Sequence, residues 1–238
     1  MGDLRNQGVL VVGGTGGVGH ALVLLASQLG ATVLFSVPPG SEAAAESLLA
    51  LAQSAGAEDR ISFAAIDLSS PSEVDRLFDQ ACERLPGLHV LVMNLAEHAH
   101  LFGGKSVIET TLSDWNEALS VHLRQPFLIA QRALEEFVIG RQQGRIVYVM
   151  AAIPGTDAPG HVSVAAAQSA LGSFVRSIAK EYGRRGIACN AVVLRGHDSP
   201  QTIDDNLQPA YEPLVETVLF LASGEASFIN GEVLEVTL

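Results

Sequence analysis

A chain of 238 residues, 48% of them hydrophobic, buries one large core, and its length favours a single α/β domain over 1–238. The formal net charge of −12, with only 14 Lys and Arg, excludes a nucleic-acid or anionic-membrane partner, because both recruit through a positive face. The longest apolar run near the N-terminus is broken by Ser27, Gln28 and Gly30, so the sequence predicts no membrane span and no secretory signal, and the cytoplasm is the expected location.

In chain order, "GVLVVGG" is an apolar run closed by glycines, and "VGHALVLLASQLG" follows with helical periodicity and Gly30 at its end. "ATVLFSV" reads as a second strand, "SEAAAESLLALAQSAG" as a helix opened by Ser41, and "RISFAAIDLSS" as a third strand running into a turn. The next helix has Ser70 as its candidate N-cap, Pro71 at its first position and Glu73 three residues past the cap. "LHVLVMNLA" is a fourth strand, and one long helix is predicted over 113–140. "GRIVYVMAA" is a fifth strand, and a helix follows on which Leu171, Phe174, Val175 and Ile178 form an apolar stripe and which Gly186 ends. "GIACNAVVL", "YEPLVETVLFLASGE" and "GEVLEVTL" close the chain as strand, helix and strand. Apolar strands alternating with amphipathic helices predict a doubly wound Rossmann fold, a central parallel seven-stranded sheet with helices on both faces, its site lying at the carboxyl ends of the strands.

Cys82 and Cys189 belong to no CxxC pair and read as buried thiols. His98 and His100 follow Glu97 in a loop without a third ligand at sensible spacing, so no metal is expected. "VVGGTGGVGH" places Gly13, Gly17 and Gly19 between the first strand and the first helix. There Gly13 permits a tight turn, Gly17 lets backbone approach a pyrophosphate and Gly19 allows close helix packing.

With the spacing Gly-x-x-x-Gly-x-Gly, followed by "AAIDLSS", "HVLVMNLA", "GRIVYVM", "VRSIAKEYGRRGIACNAV" and "FLASGEASFINGEVLEV" in order, the chain resembles the short-chain dehydrogenase/reductase family over nearly its whole length. The resemblance implies cofactor-binding roles for Gly13, Gly17, Gly19, Asp67 and Asn94, with Asp67 against the adenine ring. It also locates what is substituted. The family's Tyr-x-x-x-Lys pair falls on Val164 and Gln168, its Ser on Ala151 or Ala152, and its fourth-helix Asn on His122. No catalytic residue is therefore assigned. A positioned acid or base is worth about 10²- to 10⁴-fold in rate, so the family mechanism would be lost. Tyr148, His122 and His161 are the groups that could be recruited instead.

Other departures point the same way. Val37-Pro38-Pro39 stands where the family puts the charge that reads the adenosine ribose, Glu97 adds negative charge, and Leu194-Arg195 replaces a Pro-Gly pair before a lid segment that is about half the usual length. These losses predict no NAD(P) or weakly bound NAD(P). They also predict a non-catalytic subunit of a hetero-oligomer, supporting a catalytically active paralogue that binds NAD(P) itself, as in a dehydrogenase acting on (hydroxy(phenyl)methyl)succinyl-CoA. A nucleotide- or metabolite-binding sensor and a reductase with relocated catalytic residues are the alternatives.

Overall fold

The computed structural model describes residues 2–54, 56–96, 103–152, 159–195 and 211–237. Seven strands form one sheet: β1 (Gly8–Val12), β2 (Thr32–Val37), β3 (Ile61–Ala65), β4 (Val90–Asn94), β5 (Gly144–Ala151), β6 (Ile187–Arg195) and β7 (Val233–Thr237). Their order is β3-β2-β1-β4-β5-β6-β7, and every neighbouring pair is parallel. The chain turns outward in one direction from β1 to β3 and in the other from β4 to β7. This reversal opens a crevice beyond the carboxyl ends of β1 and β4, where α/β sheets bind ligands.

Alternation along each strand sorts its side chains between the two faces. Val9, Val11, Val33, Phe35, Val90 and Val92 pack with Val18 and Leu22 of α1 (Gly17–Gln28), Leu48 of α2 (Glu42–Ser54) and Leu214 and Val218 of α7 (Glu212–Ala222). On the other face, Leu10, Leu34, Leu91, Met93, Ile146 and Tyr148 pack with Leu77 and Phe78 of α3 (Pro71–Arg84). Ile129 and Ala133 of α5 (Gln125–Ile139) and Leu171, Val175 and Ile178 of α6 (Val162–Tyr182) complete that layer. With apolar helices on both faces, the strands show almost no polar interruption.

The helix predicted over 113–140 is not continuous. Helix α4 (Leu112–Leu119) passes into a π turn at Ser120–Arg124 before α5 begins. Pro126 explains the break, because it has no amide to donate and its ring crowds the carbonyl four residues back, that of His122. The backbone widens instead, and Gln125 N–H bonds to Ser120 O.

The helix ends are held in ways that spacing alone does not predict. Ser70 does stand at the N-cap of α3, yet its hydroxyl pairs with that of Ser72 at 3.0 Å and does not cap the helix. The reciprocal cap lies at α4, where Asp114 N–H donates to Thr111 Oγ1 and Thr111 N–H to Asp114 Oδ2. Gly186, at φ +80°, takes the left-handed conformation that ends the α6 segment after one short 3₁₀ turn. Among the described residues no helix is long and apolar enough to cross a membrane.

Gly144 starts β5 directly beneath Phe137, and a Cβ there would stand 2.3 Å from the Phe137 ring, itself fully buried. Gly144→Ala is therefore expected to cost about 1–3 kcal/mol of stability through overpacking, read as a lower midpoint in urea unfolding.

Candidate functional site

The site starts where β1 ends. Gly13 has φ +81°, and a Cβ on it would lie 2.8 Å from Asn94 O, so both conformation and space demand glycine. The turn is pinned from both neighbouring strands. From β2, Ser36 Oγ accepts from Gly13 N–H at 3.3 Å and Ser36 O from Gly14 N–H at 3.1 Å. From β4, the buried Asn94 donates its amide to Gly13 O at 3.2 Å. Gly17 begins α1, with Gly16 as its N-cap at φ +117°. Gly19 lets that helix close on the turn, since a Cβ there would meet Gly13 O at 2.4 Å. Three of the predicted residues, Gly13, Asn94 and Asp67, line one cavity, whereas Gly17 and Gly19 shape the helix entrance beside it.

The cavity encloses about 230 Å³. Its walls are Val12 and Gly13, the β2 end from Ser36 to Pro39, Ile66 to Ser69 after β3, and Met93 to Leu95; Val121 and Gln125 reach it from the π turn and the start of α5. Asp67 is exposed at this wall, and the Ser69 hydroxyl and N–H, at 2.7 and 2.9 Å, hold its carboxyl below the ordinary carboxylate range. The carboxylate is thus ionised at neutral pH and becomes protonated only on acidification through its depressed pKa. Ser36, Val121 and Gln125 are not among the residues that the sequence singles out. Ser36 does carry a signal, as the polar residue near the end of an apolar strand; Val121 carries none, because nothing in the spacing marks the π turn.

At the ends of β5 and α6 the substituted positions come together. Gln168 donates its side-chain amide to Ala151 O at 3.1 Å, and Ala151 and Ala152 are half-buried. Val164 is wholly buried. The three groups open to recruitment separate by burial. Tyr148 is inaccessible in the sheet core, its hydroxyl 3.5 Å from Pro126 O, and burial pushes its pKa well up. His122 is likewise inaccessible, within the π turn. His161 is half-buried at the N-cap of α6, one turn before Val164, with Nδ1 3.3 Å from Pro159 O and its ring against Gly103.

Glu97, His98 and His100 lie outside the described residues, as does the lid segment after Arg195, over 196–210. Among the described residues no group of three His, Cys, Asp or Glu side chains could hold a metal. Cys189 is buried as expected, and desolvation raises its pKa, whereas Cys82 is exposed, because its place on α3 faces the Glu136 carboxylate on α5.

A "short chain dehydrogenase" family profile matches residues 7–209. The chain is 28% identical to a 3-oxoacyl-[acyl-carrier-protein] reductase of Aquifex aeolicus, over 98% of this chain and 96% of the relative. It is 27% identical to a (3R)-3-hydroxyacyl-CoA dehydrogenase of Mus musculus, over 98% and 96%. Among solved structures, a dehydrogenase/reductase from Sinorhizobium meliloti superposes with a TM-score of 0.83 at 23% identity, covering 99% of this chain and 95% of that one. A short-chain dehydrogenase/reductase of unknown function from Caenorhabditis elegans, solved with cofactor, gives 0.84 at 21%, again over 99% and 95%. At these identities the structures show the fold.

The comparisons correct one expectation. Relatives spanning nearly the whole chain are named for reductase and dehydrogenase activities, and nothing among them points to a non-catalytic subunit that supports an active paralogue. The error has a physical source: side chains missing at Val164, Gln168 and Ala151 or Ala152 state only which mechanism is lost.

The turn at Gly13 generates a stability prediction. Gly13→Ala forces a Cβ into the left-handed region and against Asn94 O, and about 1–3 kcal/mol of destabilisation is expected in chemical unfolding. Asp67→Asn, on an exposed side chain, should leave the same unfolding midpoint unchanged.

Proposed function

The chain belongs to the short-chain dehydrogenase family, and from that premise we propose that it is an oxidoreductase which binds a nicotinamide adenine dinucleotide across the ends of β1 to β4 and interconverts a carbonyl and an alcohol. The observation that carries the reading is the convergence of Gly13, Asn94 and Asp67 on one cavity beside the N-terminus of α1. An adenosine would occupy that cavity, and Asp67, on its wall, is within the same cleft as the base. The pyrophosphate would lie over the backbone of Gly16 and Gly17, where the N–H groups of the helix start favour negative charge. The nicotinamide, when bound, supplies or takes up the hydride. The acyl thioesters named for the Aquifex and mouse relatives supply the substrate class: a 3-oxoacyl or 3-hydroxyacyl thioester.

The chain must also move a proton to or from the substrate oxygen. Of the three groups open to recruitment, Tyr148 and His122 have no access to it, and among the described residues His161 remains. Because Pro159 O can only accept, Nδ1 carries the ring proton in this geometry, and Nε2, which packs beside Gly103, is the ring nitrogen left to exchange a proton. Gln168 has a structural role, since its amide bridges α6 to the end of β5. Without a lysine at that position the opening face of the helix, Val164 to Gln168, carries no ionisable side chain.

Spectrophotometric assay of acetoacetyl-CoA reduction with NADH and with NADPH tests the reading. Measurable turnover that falls about 10²-fold or more in His161→Gln, and is unchanged in Tyr148→Phe, is expected. Turnover at the buffer rate despite demonstrated nucleotide binding, across 3-oxoacyl thioesters and simple ketones, would overturn the oxidoreductase assignment. If turnover is real, Val164→Tyr with Gln168→Lys should raise it, provided that the phenol finds room where a wholly buried valine stood.

A further inference from the structure

His161 is held from two sides. Nδ1 faces Pro159 O, and the connection that leads from β4 to α4 lies across the other edge of the ring. A Cβ on Gly103 would stand 2.3 Å from Nε2 and 2.6 Å from Cδ2, so bare main chain rests against that nitrogen and no larger residue fits while the ring stays in place. Among the described residues Nε2 has no hydrogen-bond partner.

Glycine lies on glycine beside this contact. Gly104 and Gly160 take left-handed φ, +89° and +90°, and a Cβ on Gly160 would lie 3.4 Å from Gly104 N. One backbone hydrogen bond ties the two segments, from Lys105 N–H to Gly160 O at 3.3 Å, long for an amide–carbonyl pair. Past that bond the chain is anchored. Glu109 accepts from the N–H and the hydroxyl of Ser106 at 2.9 and 2.6 Å. Lys105 Nζ sits 2.8 Å from each oxygen of Asp114, the carboxylate that closes the α4 cap. Lys105 and the Thr111 donors pull that carboxyl down to about 2, so the anchor persists through the neutral range. A segment fixed at one end and resting on glycines at the other opens at the glycines. Lifting Gly103 and Gly104 breaks one long hydrogen bond and moves no side chain of their own, which keeps the opening local.

We propose that the segment 103–105 is a gate over His161: shut against Nε2 in this structure, it must lift before that nitrogen can exchange a proton with a substrate oxygen. The gate rests on the reading of His161 as the proton-transfer group. It makes substrate entry and exposure of the imidazole a single event, because the main chain that covers Nε2 also fills the space in front of it.

Diethyl pyrocarbonate acylates accessible neutral imidazole nitrogens, and mass spectrometry of peptides from the treated full chain reads the reaction at His161 alone. His161 is expected to react at least about tenfold more slowly in the native chain than in the urea-unfolded chain, because reaction waits on the open fraction. Gly103→Ala, whose backbone lies outside the left-handed region and whose methyl would meet the His161 ring first, should raise the native rate several-fold without lowering the urea midpoint. Lys105→Pro, which removes the amide that ties the segment to Gly160, should act in the same direction. Native His161 that reacts as fast as in the unfolded chain, or a rate that neither variant moves, would overturn the gate and leave the proton-transfer reading standing. Protection that both variants relieve, in a chain whose acetoacetyl-CoA turnover survives His161→Gln, would instead remove that reading and with it the gate's part in the reaction.

Discussion

Everything at the functional end of this molecule depends on how closely α1 can sit against the end of β1. Two backbone contacts set that distance. Gly13 O lies 2.4 Å from where a Cβ on Gly19 would be, and Asn94 O lies 2.8 Å from where a Cβ on Gly13 would be. The strand end, the helix start and the end of β4 are therefore stacked backbone against backbone, with no side chain between them. Larger residues would push α1 outward and widen the crevice at the strand-order reversal. Ser36 and Asn94 then hold the turn from either side by bonding its amides and carbonyl, so a loop that glycine leaves conformationally free becomes a fixed one.

The second constraint is Pro126. Its missing amide breaks the α4–α5 hydrogen-bond ladder, and the resulting π turn swings Val121 and Gln125 into the cavity while turning His122 wholly into the protein. One residue thus supplies part of the cavity wall and removes an imidazole from the set of accessible bases. His122 is a candidate in the sequence because it stands at a position of functional interest; the backbone decides otherwise.

The fold is legible in the sequence because its signals are redundant. Apolar alternation sets the two sheet faces, turn residues bound every strand, and the seven strands follow the predicted order of elements. The π turn is not legible, because a proline inside a helical pattern marks a helix start as readily as an interruption. Ser70 is a well-placed cap whose hydroxyl finds another partner, Ser72, a choice made by side-chain geometry that no spacing rule contains. At the site, the residues whose roles are backbone geometry, Gly13 and Gly19, can be read from spacing. The role of Ser36 cannot be, since its contribution comes from pairing of β2 against β1, a contact between distant parts of the chain.

Absent side chains are a poor guide to what this molecule does. Removing a phenol, an amine and a hydroxyl from one helix and one strand end abolishes a particular proton path, and about 10²- to 10⁴-fold in rate is at stake for each positioned group. It leaves in place the cavity and the helix start at the sheet's switch point that are proposed to hold a dinucleotide. In the proposed site the nucleotide end is built by β1 to β4 and α1, and the proton-transfer end by β5 and α6. Substitutions confined to the second half bear on how a proton travels, and burial then sorts the remaining candidates more sharply than residue type does. Tyr148 has the right chemical group but no path to solvent or substrate, whereas His161 stands half-buried at the head of α6, where a group must be if it is to exchange a proton with anything in the cleft.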